Sequence, residues 1–236
     1  MSAAEDLRHQ LDRYRRLRQH SDAAFRARLY ALQEFQARRL RHTHAGLVDD
    51  PATRDAAMLF LTDIYGGIDL LPMAEEIERA LPLATRLLPD NVLATSATAA
   101  GIMTLTQELD EQLATLLFEQ RRIETLTAAA YTDAFRAMGR FDDRARQLQL
   151  ATELGHGLDR YVRSRLVYAT FRMARRPAHR YGLGTLYDFL ERGFAAMRPL
   201  GSTQTLFARM TGAEQDILGR IAGGDPDPFL LQGQAL

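Results

Sequence analysis

Between Asp50 and Gly67 the sequence specifies a helix whose apolar residues cover far more than one face. At 100° per residue, Leu59, Ala56, Phe60, Ile64, Ala57 and Leu61 fill an arc of roughly 200°, twice the stripe of an ordinary surface helix. A helix of that kind has to be surrounded by others. Asp50 suits the N-cap, Pro51 the first helical position, and Gly66-Gly67 a left-handed C-terminal stop. Arg54, Asp55 and Thr62 mark the narrow wet stripe. Asp63, however, falls between Leu59 and Ala56 on the buried arc, where a carboxylate must be neutralised by a partner or by protonation. The chain has no lysine, so an arginine from another segment is the expected partner. A structural buried ion pair is the leading reading of Asp63, and a ligand-binding or catalytic carboxylate is the second.

The remaining segments also carry helical periodicity. Residues 3–19 place Leu7, Leu11 and Tyr14 on one side, and residues 22–45, capped by Ser21, align Phe25, Leu29, Leu32, Gln36 and Leu40. These two form either one rod or a helix pair. Pro72, Pro82 and Pro89 divide residues 69–88 into two short helices. A helix opening at Asp90 runs to Leu117, and its small-residue stretch Ala94–Gly101 either admits a neighbouring backbone closely, the leading reading, or leaves room for a flat ligand. Residues 124–139 and 142–163 form a hairpin about Gly139, and Arg175-Arg176-Pro177 ends a helix begun at 165. Leu186, Phe189, Leu190 and Phe194 belong to a helix closed by Pro199 and Gly201, and Ser202 caps the last one. No run alternates with the period of a strand. The expected fold is all-α, a single-domain bundle of eight to ten helices over residues 1–222, with a long N-terminal helix or helix pair. Residues 223–236 are expected to be a loose tail.

Charge is balanced overall but uneven along the chain. Residues 1–42 hold ten Arg and five acids, residues 87–120 five acids and no Arg, and residues 140–180 ten Arg and four acids. Blocks of this kind pair with one another inside a fold or face an anionic partner. A formal net charge of zero, and arginines not interleaved with aromatics and glycine, favour internal pairing over nucleic acid. A nucleic-acid face would use Arg8, Arg15, Arg16 and Arg18 with Arg172, Arg175 and Arg176. The absence of cysteine removes thiolate metal sites and cysteine nucleophiles. The charged start of the chain lacks a signal pattern, and the longest uncharged run, Asn91–Gln107, is too short and too rich in threonine for a membrane span. A cytoplasmic bacterial protein is expected, with no membrane partner.

Leu59-Phe60-Leu61-Thr62-Asp63-Ile64-Tyr65, followed by Gly66, resembles a divergent FFLEELY motif, the signature of a group of uncharacterised bacterial helical proteins. Arg39-Leu40-Arg41 before it, Leu87-Leu88-Pro89 after it and Asp188–Phe194 further on follow a similar order. The motif departs at Leu59, Thr62, Asp63 and Ile64. The resemblance implies a helical fold and supplies neither an activity nor catalytic residues.

Few residues suggest chemistry. His42 and His44 close the second helix, but side chains two apart on a helix point roughly 160° from each other and cannot share an ion. They read first as surface or capping histidines, with His44 alone a candidate ligand. Glu153 and His156 have the spacing of di-iron bundles, yet no second pair occurs, and His156 lies opposite Leu150, Leu154 and Leu158 on the wheel. Arg144 stands where a tetratricopeptide-like hairpin wants a small residue. The leading function is therefore a non-enzymatic helical protein-interaction module, its partner another protein or a second copy in a homodimer. The alternative is a helical ligand-binding enzyme of haem-oxygenase-like architecture, which has haem as its cofactor. There His44 is the axial ligand, Gly155 and Gly157 admit the flat ring, and Tyr65 completes the candidate binding set. No metal site is expected otherwise.

Overall fold

In the computed structural model, which describes residues 1–19, 22–61 and 70–231, the helices follow one another with no strand among the described residues. In chain order they are α1 (Ala3–Gln19), α2 (Ala23–Thr43), α3 (Ala45–Val48), α4 (Arg54–Leu59), α5 (Leu71–Leu87), α6 (Asp90–Ala114), α7 (Ala128–Met138), α8 (Phe141–Val162), α9 (Arg165–Met173), α10 (Arg175–Arg180), α11 (Gly184–Met197) and α12 (Thr203–Gly223). Three of these are single-turn or two-turn segments of four to six residues, and nine are longer. The all-α class follows directly from the periodicity of the sequence.

Among the described elements, the one that the others surround is α6. Its first half carries the small residues, and Ala97, Ala100 and Thr104 are buried beside α1. The Thr104 hydroxyl donates both to the Gln10 carbonyl of α1 (3.0 Å) and to Ala100 (2.9 Å). Leu109 and Leu113 in its second half, and Leu117 just beyond it, are wholly buried, each stabilising the fold by roughly 1.5–3 kcal/mol. A π-helical turn, Thr115–Gln120, ends it.

Pairing along α6 also fixes the course of its neighbours. Gln10 sits by Gly101 and Arg13 meets Glu108 (2.8 Å), so α1 runs parallel to α6. Leu40 clusters with Ile102, while Gln36 reaches Asp110, so α2 runs antiparallel. The N-terminal segments are therefore a helix pair folded back on itself, each half laid on α6, and not a rod. Asp22 caps α2, its carboxylate accepting from the Phe25 N–H at 2.7 Å. The expected cap Ser21 lies outside the described residues.

Two of the proline expectations change. Residues 71–87 form one helix with Pro82 inside it. The hydrogen bond lost at a proline is offset by the apolar face of Met73, Ala74 and Leu81 packed against Leu7, Leu11 and Tyr14 of α1. Pro177, expected to end a helix, sits in the first turns of α10, where its missing N–H is tolerated.

The segment beginning at Asp50 starts later than its sequence implies. Asp50 makes a turn instead of a cap: its carboxylate accepts from the Ala52 N–H (2.9 Å) and its carbonyl from Thr53 and Arg54. Helix α4 begins at Arg54, because the Thr53 hydroxyl is committed to the Leu47 carbonyl (2.7 Å) and holds the entry against α3. Ala56, Ala57, Phe60 and Leu61 are buried as the wheel requires, and Phe60 meets Phe207 edge-on at 4.9 Å. Thr62 to Gly67, with Asp63 and Tyr65, lie outside the described residues.

Helices α6, α8 and α12 form an antiparallel layer. Gly155 of α8 and Phe207 of α12 mark their closest approach, and Asp159 accepts from the Thr203 N–H (2.8 Å) to cap α12 together with Ser202. Burial opposes ionisation of Asp159, but the Thr203 and Ser202 donors hold its carboxyl below the ordinary value. Asp159→Ala is expected to lower stability by about 1 kcal/mol, the usual cost of a lost cap, as read from the urea midpoint. Of the tail expected to be loose, the described part to Leu231 is packed: Gly224 closes the helix with φ +83°, and Phe229 and Leu231 fold back into the core with Leu29, Leu32 and Tyr131, while residues 232–236 lie outside the described residues. Burying two large apolar side chains is what fixes them. No helix among the described residues is long and apolar enough to cross a membrane.

Candidate functional site

Two features stand out once the core is accounted for: a buried polar network and an arginine-rich outer face. The network lies where α2, α6, α8 and α12 converge. Arg39 Nη1 donates to both Glu214 oxygens, at 2.6 and 2.5 Å, and His44 Nε2 is 3.1 Å from Oε1. Burial raises the cost of the Glu214 charge, but Arg39 and His44 outweigh it and hold the carboxyl at about 2. His44, expected near the surface, is 4% exposed because α12 crosses the end of α2.

A second centre faces the first. Asp110, only 1% exposed, accepts from Gln36 Nε2 at 3.1 Å and more weakly from Gln33 at 3.4 Å. Its desolvation pushes the carboxyl up, against the pull of Arg144, Gln36 and Gln33. Arg144 approaches Asp110 no closer than 3.7 Å and gives Nη1 to Gln147 Oε1 (3.3 Å). Nε and Nη2 of Arg144, both buried, have no acceptor among the described residues. Between the two centres is a cavity of about 60 Å³, walled by both arginines, Tyr131, Phe135 and Phe229 among others.

Of the residues expected to bind a ligand, His44, Gly155 and Gly157 do not line this cavity, and Tyr65 lies outside the described residues. His44 is held by Glu214. A Cβ on Gly155 would lie 2.6 Å from Phe207 Cβ, and one on Gly157 would lie 2.7 Å from Thr95 Oγ1, so both glycines serve helix packing. Neither supplies a face for a flat ring, and these residues do not fit a haem. Glu153 and His156 are exposed, with Glu153 bonded to Arg146 and Gln149. Among the described residues no three acid, His or Cys side chains gather as metal ligands do.

The charge blocks do pair internally, and α6 is the reason. Glu108 takes Arg13 from the first block and Arg140 (3.3 Å) from the third, while Asp110 faces Arg144. The remaining arginines of the third block lie beyond the reach of α6. Residues 160–198 hold nine Arg and two acids. Those acids are engaged at the edge, Glu191 by Arg175 (3.6 Å) and Asp188 by His179 (3.0 Å).

Helix α9 gives this face its shape. Phe171 turns inward to stack on Tyr187, centroids 4.4 Å apart and nearly parallel, and Tyr168 packs toward Phe194. Glu76, buried in α5, anchors α11 beneath by accepting from the Thr185 and Leu186 N–H groups. The opposite side of α9 is left in water. Leu166 is 77% exposed and Met173 81%, seven residues apart and so on one line, and Tyr181 past α10 is 77% exposed. Arg165, Arg172 and Arg176 run alongside, all exposed.

A family model described as a domain of unknown function (DUF8198) matches residues 15–228. No curated protein and no solved structure matches the chain.

Proposed function

We propose that this chain, which belongs to the DUF8198 family of domains of unknown function, acts as a non-enzymatic protein-interaction module that receives an acidic, partly apolar protein surface on α9 and α10. The kinship with FFLEELY proteins suggested by Leu59–Gly66 is part of the same reading, since it too implies a helical chain without assigned chemistry. The observation that carries the proposal is the exposed line of Leu166 and Met173 set beside the exposed arginines Arg165, Arg172 and Arg176. Arginine, methionine and tyrosine are the residues enriched at protein interfaces, and large apolar side chains supply affinity where arginines supply orientation and encounter rate.

A protein partner fits better than a nucleic acid. The rings that would stack on bases are already engaged: Phe171 and Tyr187 are stacked on each other, and Tyr168 packs toward Phe194 with the Arg198 guanidinium over its face. The reading needs no bound cofactor, and it leaves Asp110 and Glu214 as parts of the scaffold.

The test uses a fluorescently labelled acidic amphipathic helical peptide, with glutamate and leucine at helical spacing, titrated with the full chain. Binding is expected to saturate, to weaken with salt, and to fall about tenfold, equivalent to 1.4 kcal/mol, in the double variant Leu166→Ser, Met173→Ser. Both positions are exposed, so the fold tolerates the change. Equal binding by variant and parent, or stronger binding to single-stranded RNA or to phosphatidylserine vesicles than to the peptide, would overturn the proposal.

A further inference from the structure

The interior cavity carries an inference separate from the outer face. We propose that it binds a small carboxylate, or an oxoanion of similar size, gripped by the Nε and Nη2 edge of Arg144. These two nitrogens form one side of the guanidinium, and their N–H bonds point the same way, as a fork that matches two oxygens of one anion. Both are buried without an acceptor, and Arg144 as a whole is 9% exposed. The flat of the group is covered by the Phe135 ring, 5.2 Å from Cζ, which leaves the edge as its polar outlet.

Charge and size point the same way. Of the two carboxylates nearby, Glu214 is bonded to Arg39 and His44, and Asp110 lies 3.7 Å from Nη2, beyond hydrogen-bond length. Asp110 thus faces Nη2 across an ion pair without taking a hydrogen bond from it, and both the Nε and the Nη2 donors are left without an acceptor. A cavity of about 60 Å³ has room for on the order of four waters, which is the size of acetate. Ile217 and Ile221 line it, an apolar wall for the methyl group.

The experiment is thermal unfolding of the full chain at neutral pH in sodium acetate against sodium chloride at equal ionic strength. Acetate is expected to raise the midpoint saturably, by about 5–10 °C at a hundredfold excess over its Kd. Pivalate, equally charged but too bulky for the cavity, is expected to leave the midpoint where chloride leaves it. Arg144→Met, checked for helix content, is expected to lose the acetate increment. If that variant does not fold, the acetate–pivalate comparison on the parent chain decides. No rise with acetate, the same rise with pivalate, or an undiminished rise in folded Arg144→Met would overturn the proposal.

Discussion

Glu214→Gln is expected to cost the fold about 3 kcal/mol above roughly pH 5 and almost nothing near pH 2. The native carboxyl titrates at about 2, against 4.5 for the free group, because Arg39 and His44 hold its charge. A depressed carboxylate contributes stability that is present above its unfolded pKa and is lost as pH falls toward its folded one, so the window is pH 4.5 down to 2. The side chain is 15% exposed, so little of this is screened by solvent. Removing one member of a buried pair also strands the other, which is why the expected loss far exceeds that of a surface ion pair. Urea unfolding of parent and variant at several pH values measures the difference directly. A gap that stays constant from pH 7 to pH 3 would contradict the assignment.

Gly155→Val is expected to be at least as damaging, at about 3 kcal/mol or more. A Cβ at this position would sit 2.6 Å from Phe207 Cβ and 2.8 Å from Cγ. Phe207 Cβ is fixed to the α12 backbone and its ring is locked against Phe60, so relief requires the two helices to part. Overpacking of this kind costs about 1–3 kcal/mol for small additions and more for branched ones. Gly157→Ala is the milder contrast, because its obstacle is the Thr95 side chain, which can turn about χ1. Circular dichroism melts of both variants check the order. A Gly155→Val protein as stable as the parent would mean that α8 and α12 are not in contact here.

The sequence made the helical class plain, because period-3.6 patterns in nearly every segment leave no alternative packing. It also exposed the pairing of charge blocks, which the structure realises through Glu108 and Asp110 of α6. What it did not expose is which helix is central. The wide apolar arc after Asp50 is real for Ala56, Ala57, Phe60 and Leu61, but among the described elements α6 touches neighbours on more sides because small residues at one end and leucines at the other admit helices at different distances. The rod-or-pair ambiguity of the N-terminus turns on hydrogen bonds between distant residues, which local periodicity cannot encode.

The buried polar network had a sequence signal. Asp110 stands three and four residues before Leu113 and Ala114, and Glu214 four after Met210 and three before Ile217, both on apolar arcs by the same wheel argument that singled out Asp63. His44 was misplaced for a different reason: its burial comes from α12 crossing the end of α2, a tertiary contact 170 residues away. Gly155 and Gly157 signalled close approach correctly, but the approaching group is another helix and not a ligand. The outer face was partly legible as an arginine block, whereas its apolar line emerged only when Tyr168 and Phe171 were seen to face inward.

The central claim is that the arginine-rich face of α9 and α10 is where a partner docks. Hydrogen–deuterium exchange of the full chain with and without the acidic amphipathic peptide tests it most directly. The account predicts added protection of amides between residues 165 and 181, with α6 and α1 unchanged. Protection elsewhere, on the groove between α1 and α6 for example, or none at saturating peptide, would contradict it.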